Sequence, residues 1–193
     1  MKINLKDNNY QIFDDAISEE KQNAILDLLL SSEFPWYHNS STILNQTEKK
    51  SNKDWLDDFQ FTHNFIREGQ VHSNDFHVIF ENLLKQIPPT EEGIERIKAN
   101  LQINNGFKIQ DGIPHTDTDS IHYVALYYVN DSDGDTILYN EDKTEMVRIS
   151  PKKGRLIFFR GNITHTSSVP KKYRMRMVIN INILSNRDDL GMS

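Results

Sequence analysis

The chain has 193 residues, a formal net charge of −6 at pH 7 and no cysteine. The absence of cysteine excludes disulfides, thiolate metal ligands and cysteine nucleophiles, and the acidic balance argues against the clustered phosphate contacts of a nucleic-acid-binding protein. No apolar run has the length needed to cross a bilayer, so we expect no membrane partner. The N-terminus lacks a charged and then apolar leader, which favours a cytoplasmic location.

The N-terminal part predicts one short strand and two helices. After the strand "YQIF", Ser18 is placed to cap a helix that has two glutamates in its first turn. This helix should end near Ser31, Ser32 and Pro35, and a second helix is predicted over 74–87, capped by Asn74 or Asp75 and stopped by Pro88 and Pro89. The first helix carries one apolar stripe, typical of packing against a sheet, formed by Ile17, Ala24, Ile25, Leu28 and Leu29.

From residue 95 onward the sequence changes to short β-rich runs separated by turn residues. Helices on the N-terminal side and strands on the C-terminal side favour a mainly β protein, a sandwich or jelly roll buttressed by helices on one face. We expect one domain over 1–193, with helical support and loops in 1–94 and the jelly-roll core in 95–185. The predicted strands are 96–104, 122–130, 135–140, 146–150, 155–160, 165–169 and 174–184.

One group of side chains has the composition of a metal site. In a strand, residues two positions apart share a face and lie about 6.6 Å apart, so His115 and Asp117 can reach one ion. His165 follows a later buried strand and a turn, from which an antiparallel neighbour could bring it to the same place. Two imidazoles and one carboxylate leave further coordination positions open, as in non-haem Fe(II) oxygenases. A chance His-x-Asp pair is the structural alternative.

The order of these features resembles the Fe(II)- and 2-oxoglutarate-dependent oxygenases, and within them the prolyl 4-hydroxylase-like branch. The likeness covers residues 95–185: His115 and Asp117, a strand ending in "YYVN", the turn "DGDT", the run "ISPKKGRLIFF", His165 and a strand that opens with arginines. "FDDAISEE" and "FPWY" match more loosely. The resemblance implies a double-stranded β-helix in which His115, Asp117 and His165 are the catalytic iron ligands.

The same resemblance implies Fe(II), the co-substrate 2-oxoglutarate and O2, with ascorbate as a supporting reductant. The implied reaction hydroxylates a C–H bond of a prolyl or other residue in a protein or peptide, or of a small molecule, and releases succinate and CO2. The segments 34–43 and 46–72 are candidate loops that cover the substrate. The sequence leaves the substrate and the oligomeric state open.

A buried 2-oxoglutarate carboxylate would need a cation, because an unpaired buried charge is costly. Arg174 and Arg176 follow His165 by nine and eleven positions and alternate with methionines. The apolar run after Arg176 favours that residue, and a surface arginine is the alternative for either. Tyr127 and Tyr128 point to opposite faces; the resemblance implies that Tyr128 donates its hydroxyl to the same carboxylate, and a core tyrosine is the alternative.

Three amides, Asn100, Gln102 and Asn104, share one strand face, which we interpret as a solvated polar face rather than as pocket lining. Where many relatives have two glycines in the turn after the "YYVN" strand, this chain has Gly134 and Asp135. Four other histidines lie outside the pattern and are interpreted as non-ligands: His38, His63, His72 and His122.

Two further functions remain compatible with these residues. One is a cupin-like metalloenzyme that uses the triad without 2-oxoglutarate, in which neither Arg174 nor Arg176 would be needed. The other is a metal-free β-sandwich binding module, in which His115 and His165 never meet. Metal uptake separates the second from the oxygenase, and the role of the arginines separates the first.

Overall fold

The computed structural model describes residues 3, 5, 8–39, 59–87, 93–104, 106 and 111–185. Strands dominate this part of the chain, and two α helices lie in its N-terminal half. In chain order the elements are β1 Tyr10–Phe13, α1 Glu19–Leu30, β2 Tyr37–Asn39, β3 Gln60–Arg67, β4 Gln70–Val71, α2 Phe76–Asn82, a 3₁₀ turn Leu84–Gln86, β5 Ile94–Ile103, β6 His122–Tyr128, β7 Thr136–Tyr139, β8 Glu145–Ile149, β9 Leu156–Arg160, β10 His165–Ser167 and β11 Met175–Leu184.

The strands form two antiparallel sheets. The large sheet has the order β1-β9-β6-β11-β5-β3-β2, with β4 paired to the far end of β3, and the small sheet has the order β10-β7-β8. This arrangement is a jelly roll, and it confirms the mainly β fold class with its N-terminal helices. All seven strands predicted from residue 95 onward are present.

The large sheet separates two apolar cores, as the alternation along β6 shows. Ala125 and Tyr127 point into a core that contains Ile25 of α1 and Ile79 of α2. Val124, Leu126 and Tyr128 point into a second core shared with the small sheet. The helices therefore cover one face of the large sheet, as predicted, and the other face is left for the small sheet and the site described below.

The first helix agrees with its prediction and the second is shorter. Ser18 lies at the N-cap of α1, although its side chain makes no capping hydrogen bond. The predicted helix 74–87 is confined to Phe76–Asn82, with Leu83 as its C-cap and a 3₁₀ turn after it. The proposed stop at Pro88 and Pro89 lies outside the described residues. Neither α helix of the described ranges is long and apolar enough to cross a membrane.

The prediction that segment 46–72 is a covering loop is wrong for residues 60–71, which form β3 and β4; residues 40–58 lie outside the described part. β3 pairs with β5 inside the large sheet. The sequence did not predict this strand, because its polar residues interrupt the apolar alternation that indicates a strand. His63, for example, is 5% exposed and places its two ring nitrogens 2.8 Å from the Pro35 carbonyl oxygen and from Ser73 Oγ.

We predict that Ile25→Ala lowers the free energy of unfolding by about 2–5 kcal/mol, because it opens a cavity between α1 and the large sheet. Leu30→Ala, on the same helix but at a side chain that is 54% exposed, is the control and should cost much less. Urea denaturation measures both. Equal losses would show that α1 does not pack as described.

Candidate metal centre and its cavities

His115 and His165 meet as an antiparallel backbone pair. The His115 amide donates to the His165 carbonyl at 2.9 Å, and the His165 amide donates to the His115 carbonyl at 2.8 Å. Residues that exchange both hydrogen bonds project their side chains on the same side of the sheet. The two imidazole centroids accordingly lie 5.0 Å apart.

The expectation that His115 and Asp117 lie in a regular strand is wrong. His115 forms an isolated bridge, Asp117 lies in a bend, and the strand begins only at His122. The segment instead runs along the end of β10, where Asp111 forms a second bridge with Ser168. The pairing with β10, rather than strand alternation, therefore brings these side chains together.

Both imidazoles are oriented by the same kind of contact. His115 Nδ1 lies 3.0 Å from the Ile113 carbonyl oxygen, and His165 Nδ1 lies 3.0 Å from the Ile163 carbonyl oxygen. A carbonyl only accepts, so each Nδ1 carries the hydrogen and each Nε2 keeps its lone pair. Burial lowers the pKa of His165, against the opposing effect of the Asp117 charge. This favours the neutral form that binds metals.

The carboxylate of Asp117 is held by residues from β5 and β11. Arg96 lies 2.8 Å from Oδ1, while the amides of Asn180 and Asn182 donate to Oδ2 at 2.9 and 3.0 Å. Burial by itself would raise the pKa of Asp117. The charge that His165 carries when protonated, the charge of Arg96 and the Asn182 hydrogen bond hold it below its usual range. Asp117 is therefore ionised and held in one orientation.

The ligand atoms of His115, Asp117 and His165 all lie within 4.8 Å of one another. In the described part of the chain, this is the one group of three or more histidine and acidic side chains with such spacing. Two imidazoles and a carboxylate suit a first-row transition metal, and they match the 2-His-1-carboxylate set of non-haem Fe(II) sites. His63 and His122 are buried elsewhere and are not part of the group.

The triad faces a narrow cavity of about 60 Å³, which we call the metal cavity. Its other walls include Asn100, Thr136, Val178 and Arg176. Arg176 is 4% exposed and donates to the Gly134 carbonyl at 2.7 Å, to Gln102 Oε1 at 3.1 Å and to Thr136 Oγ1 at 2.8 Å. Within the described residues, no carboxylate forms an ion pair with this buried guanidinium.

Gly134 is required where Arg176 crosses the turn after β6. A Cβ at this position would lie 2.8 Å from Arg176 Cδ and 2.7 Å from the Ser168 carbonyl oxygen. The following Asp135 needs no glycine, because its φ is not positive; its backbone amide donates to Ser168 Oγ at 2.7 Å and its carbonyl accepts from the Ser168 amide.

Tyr128 and Arg174 are not among the walls of the metal cavity. Tyr128 lies on the small-sheet face, opposite Tyr127, but its hydroxyl donates to Thr136 Oγ1 at 2.6 Å, and Tyr128 does not line the metal cavity. The Arg176 guanidinium lies 5.7 Å from the centre of the Tyr128 ring. Arg174 is exposed, precedes β11 and does not line the cavity. The structure thus brings Arg176, but not Arg174, to the site.

The interpretation of the β5 amides as a solvated face is wrong for Asn100 and Gln102, which are 8% and 5% exposed. Sequence reasoning also missed Thr136. It missed as well the three residues that contact the Asp117 carboxylate, which are Arg96, Asn180 and Asn182. A signal for the last two was available: they interrupt the otherwise apolar run "MVININIL" at alternate positions. Polar residues on one face of a buried strand indicate partners inside the fold.

A second cavity, of about 280 Å³, lies beside the first, and we call it the outer cavity. Asp117 and Lys98 line both cavities. The remaining walls of the outer cavity come from β2, β3, β5, β11 and the segment after Asp117.

Comparison with solved structures finds this fold in iron oxygenases. A 2-oxoglutarate-Fe(II) oxygenase family oxidoreductase from Burkholderia pseudomallei has a TM-score of 0.66 and 11% identity, over 95% of this chain and 90% of that one. A prolyl hydroxylase from Trichoplax adhaerens, in complex with a peptide fragment of the hypoxia inducible factor oxygen degradation domain, has a TM-score of 0.63 and 16% identity, over 98% and 89%. The chain has the fold of the 2-oxoglutarate-Fe(II) oxygenases.

Other proteins of this oxygenase fold are similar to the same degree. The non-haem α-ketoglutarate-dependent epimerase SnoN of nogalamycin biosynthesis has a TM-score of 0.63 and 11% identity, over 93% of this chain and 79% of that one. No protein-family model and no curated protein sequence matches the chain. The oxygenase fold is therefore evident from the structure, while the reaction and substrate have to be argued from the site.

We predict that Asn182→Ala weakens the binding of Mn(II) or Co(II) by about 10–100-fold, because it removes a donor to Asp117 and the acceptor of Arg96 Nε. Unlike a change at Arg96, this substitution leaves the net charge unaltered. Asn162→Ala, at an exposed asparagine, is the control. Calorimetric titration measures the affinities, and equal affinity in Asn182→Ala and the control would contradict the described role.

Proposed function

We propose that the protein is a 2-oxoglutarate- and Fe(II)-dependent dioxygenase that hydroxylates a C–H bond. The oxygenase fold and the ligand set of His115, Asp117 and His165 support this proposal. When bound, Fe(II) and 2-oxoglutarate would supply the oxidising chemistry: with O2 they would yield succinate and CO2 while one oxygen atom enters the substrate. Ascorbate is proposed as a supporting reductant.

The single observation that carries the proposal is the state of Arg176. Its guanidinium is buried in the wall of the metal cavity, and its three hydrogen-bond partners are all neutral. Burial lowers the pKa of Arg176, an effect that Tyr128 and the charge of Asp135 partly offset, but an arginine side chain still remains charged. In the described part of the chain Asp135 forms no ion pair with Arg176; a buried cation without a directly paired carboxylate is costly, and a dicarboxylate bound at the metal would supply one.

Each residue then has a definite task. His115, Asp117 and His165 would hold the metal from one side and leave its other positions to ligands. Arg176 would bind the far carboxylate of 2-oxoglutarate, with Thr136 and Gln102 fixing the guanidinium in place. Phe159, Val124 and Val178 line the cavity as well and limit the entry of water.

The substrate is proposed to be a prolyl or other residue in a protein or peptide, or a small molecule. The Trichoplax neighbour is in complex with a peptide fragment, and SnoN is found in complex with Fe3+, α-ketoglutarate and nogalamycin RO. Both substrate types thus occur on this fold, and a cytoplasmic location remains our prediction.

We predict that His115→Ala, Asp117→Ala and His165→Ala each abolish stoichiometric Fe(II) binding and the succinate formed from 2-oxoglutarate without added substrate. His77→Ala, on α2 and away from the site, should leave both unchanged. Anaerobic reloading of chelator-treated protein measures the metal, and mass spectrometry measures succinate. A wild-type protein that takes up no metal would instead favour a metal-free binding module.

We predict that Arg176→Gln weakens 2-oxoglutarate binding at least about 30-fold while metal binding persists, because breaking a buried charge pair costs about 2–5 kcal/mol. Arg174→Gln is the matched control and should bind 2-oxoglutarate like the wild type. Calorimetry on the Mn(II)-loaded protein gives both affinities. Full activity of Arg176→Gln would favour a metalloenzyme that does not use 2-oxoglutarate.

A further inference from the structure

Lys98 lies in the middle of the β5 face that points away from the helices, and its neighbours on this face make defined contacts in the site. Along β5, Ile97 and Ala99 point into the helix-covered core, whereas the alternate residues face the cavities. Arg96 holds Asp117, Asn100 lines the metal cavity and Gln102 holds Arg176. Lys98 lies between them and lines both the metal cavity and the outer cavity.

The ammonium group of Lys98 lacks a partner. Within the described ranges it forms no hydrogen bond and no ion pair, although the side chain is half-buried. Burial lowers its pKa to about 8, with Arg96 acting in the same direction and Asp117 in the opposite one, so the group is still charged at neutral pH. Lys98 thus places an unpaired positive charge in the cavity that His115, Asp117 and His165 line.

The other cations of the outer cavity are already paired. Arg67 forms an ion pair with Glu68 at 3.3 Å, and Arg96 forms one with Asp117. Glu95 has only neutral partners, the hydroxyls of Thr118 and Ser120 at 3.5 Å, and its Oε2 is buried without a partner among the described residues. An anionic ligand thus has to bind at Lys98 and away from Glu95. Among the described walls of this cavity, Lys98 is therefore the cation that a ligand could neutralise.

The composition of the outer cavity also indicates a polar ligand. All of its described lining residues are polar or charged, including the amides Asn39, Asn64 and Asn182 and the hydroxyls of Thr62 and Thr118. Binding sites for small ligands are usually lined mainly by apolar and aromatic side chains. A bare prolyl ring would gain little from these walls, whereas a carboxylate would find donors and a cation.

We propose that Lys98 binds an anionic group, a carboxylate, of the molecule that is oxidised, and so selects acidic substrates. This inference rests on the proposed function and specifies its substrate class. Asp117 borders both cavities, so a substrate bound in the outer cavity reaches the metal beside Lys98. The co-substrate is left to Arg176 on another wall, and the two carboxylates are kept apart by separate cations.

The test uses Fe(II)- and 2-oxoglutarate-loaded protein and probes in matched pairs. One arm contains capped tripeptides with Asp or Asn, and with Glu or Gln, at the central position; the other contains free aspartate against asparagine and free glutamate against glutamine. Stimulation of succinate formation and the gain of one oxygen atom are followed by mass spectrometry. Binding to the Mn(II)- and 2-oxoglutarate-loaded protein is measured in parallel by calorimetry.

We expect an acidic probe to bind or stimulate at least tenfold better than its amide, and the arm in which this occurs identifies a residue or a small acid as the source of the carboxylate. Lys98→Met should raise the KM of that probe at least tenfold and remove the preference. Lys98→Arg should restore it, and the dissociation constant of 2-oxoglutarate should change less than twofold in both variants. Lys85→Met, at an exposed lysine on the far side, is the control.

The proposal is overturned if no acidic probe exceeds its amide in turnover or in binding. It is equally overturned if Lys98→Met weakens 2-oxoglutarate rather than the acidic probe, because Lys98 would then serve the co-substrate. These outcomes are distinct from failure of the proposed function, in which the wild-type protein itself would neither bind 2-oxoglutarate nor form succinate.

Discussion

The site depends on one pair of reciprocal backbone hydrogen bonds, those between His115 and His165. They attach the irregular segment that carries His115 and Asp117 to the end of the small sheet, and they set the two imidazoles side by side. Asp117 then falls within reach of β5 and β11, where Arg96, Asn180 and Asn182 fix its carboxylate. Side chains that are far apart in the chain are thus positioned by backbone pairing and by a shell of neutral and charged donors. Such preorganisation lowers the ordering cost of metal binding.

The face of the large sheet opposite the helices carries the polar groups of the site. Buried polar groups are normally satisfied, and most of these are, through Asp117 at one end and Arg176 at the other. The exceptions include groups in the two cavities: the hydrogen-bond partners of Arg176 are all neutral, and the side-chain oxygens of Asn100 and Asn180 and one oxygen of Glu95 are buried without a partner among the described residues. The unpaired Lys98 lies between them. These polar groups that lack partners within the fold thus lie where the proposed metal, 2-oxoglutarate and acidic substrate would bind and could supply those partners.

The sequence predicted the fold class, all the strands from residue 95 onward and the grouping of His115, Asp117 and His165, because apolar alternation and ligand chemistry are local signals. It did not predict which partners hold these residues. Arg96 and Asn182 are 86 positions apart, and only the register between β5 and β11 places them on the same carboxylate. Nor did the sequence predict that the Tyr128 hydroxyl donates to Thr136, eight positions along the chain, which is also a partner of Arg176. β3 was missed because its polar residues, among them His63, are typical of a loop. Only the structure shows that His63 is buried and has hydrogen-bond partners.

The most direct test of the account is a crystal structure of the protein with Mn(II) and 2-oxoglutarate bound, with the anomalous signal of the metal recorded. The account predicts one anomalous peak between Nε2 of His115, Nε2 of His165 and the carboxylate of Asp117, with the far carboxylate of 2-oxoglutarate against Arg176. A metal peak elsewhere, or a co-substrate whose far carboxylate lies away from Arg176, would contradict it.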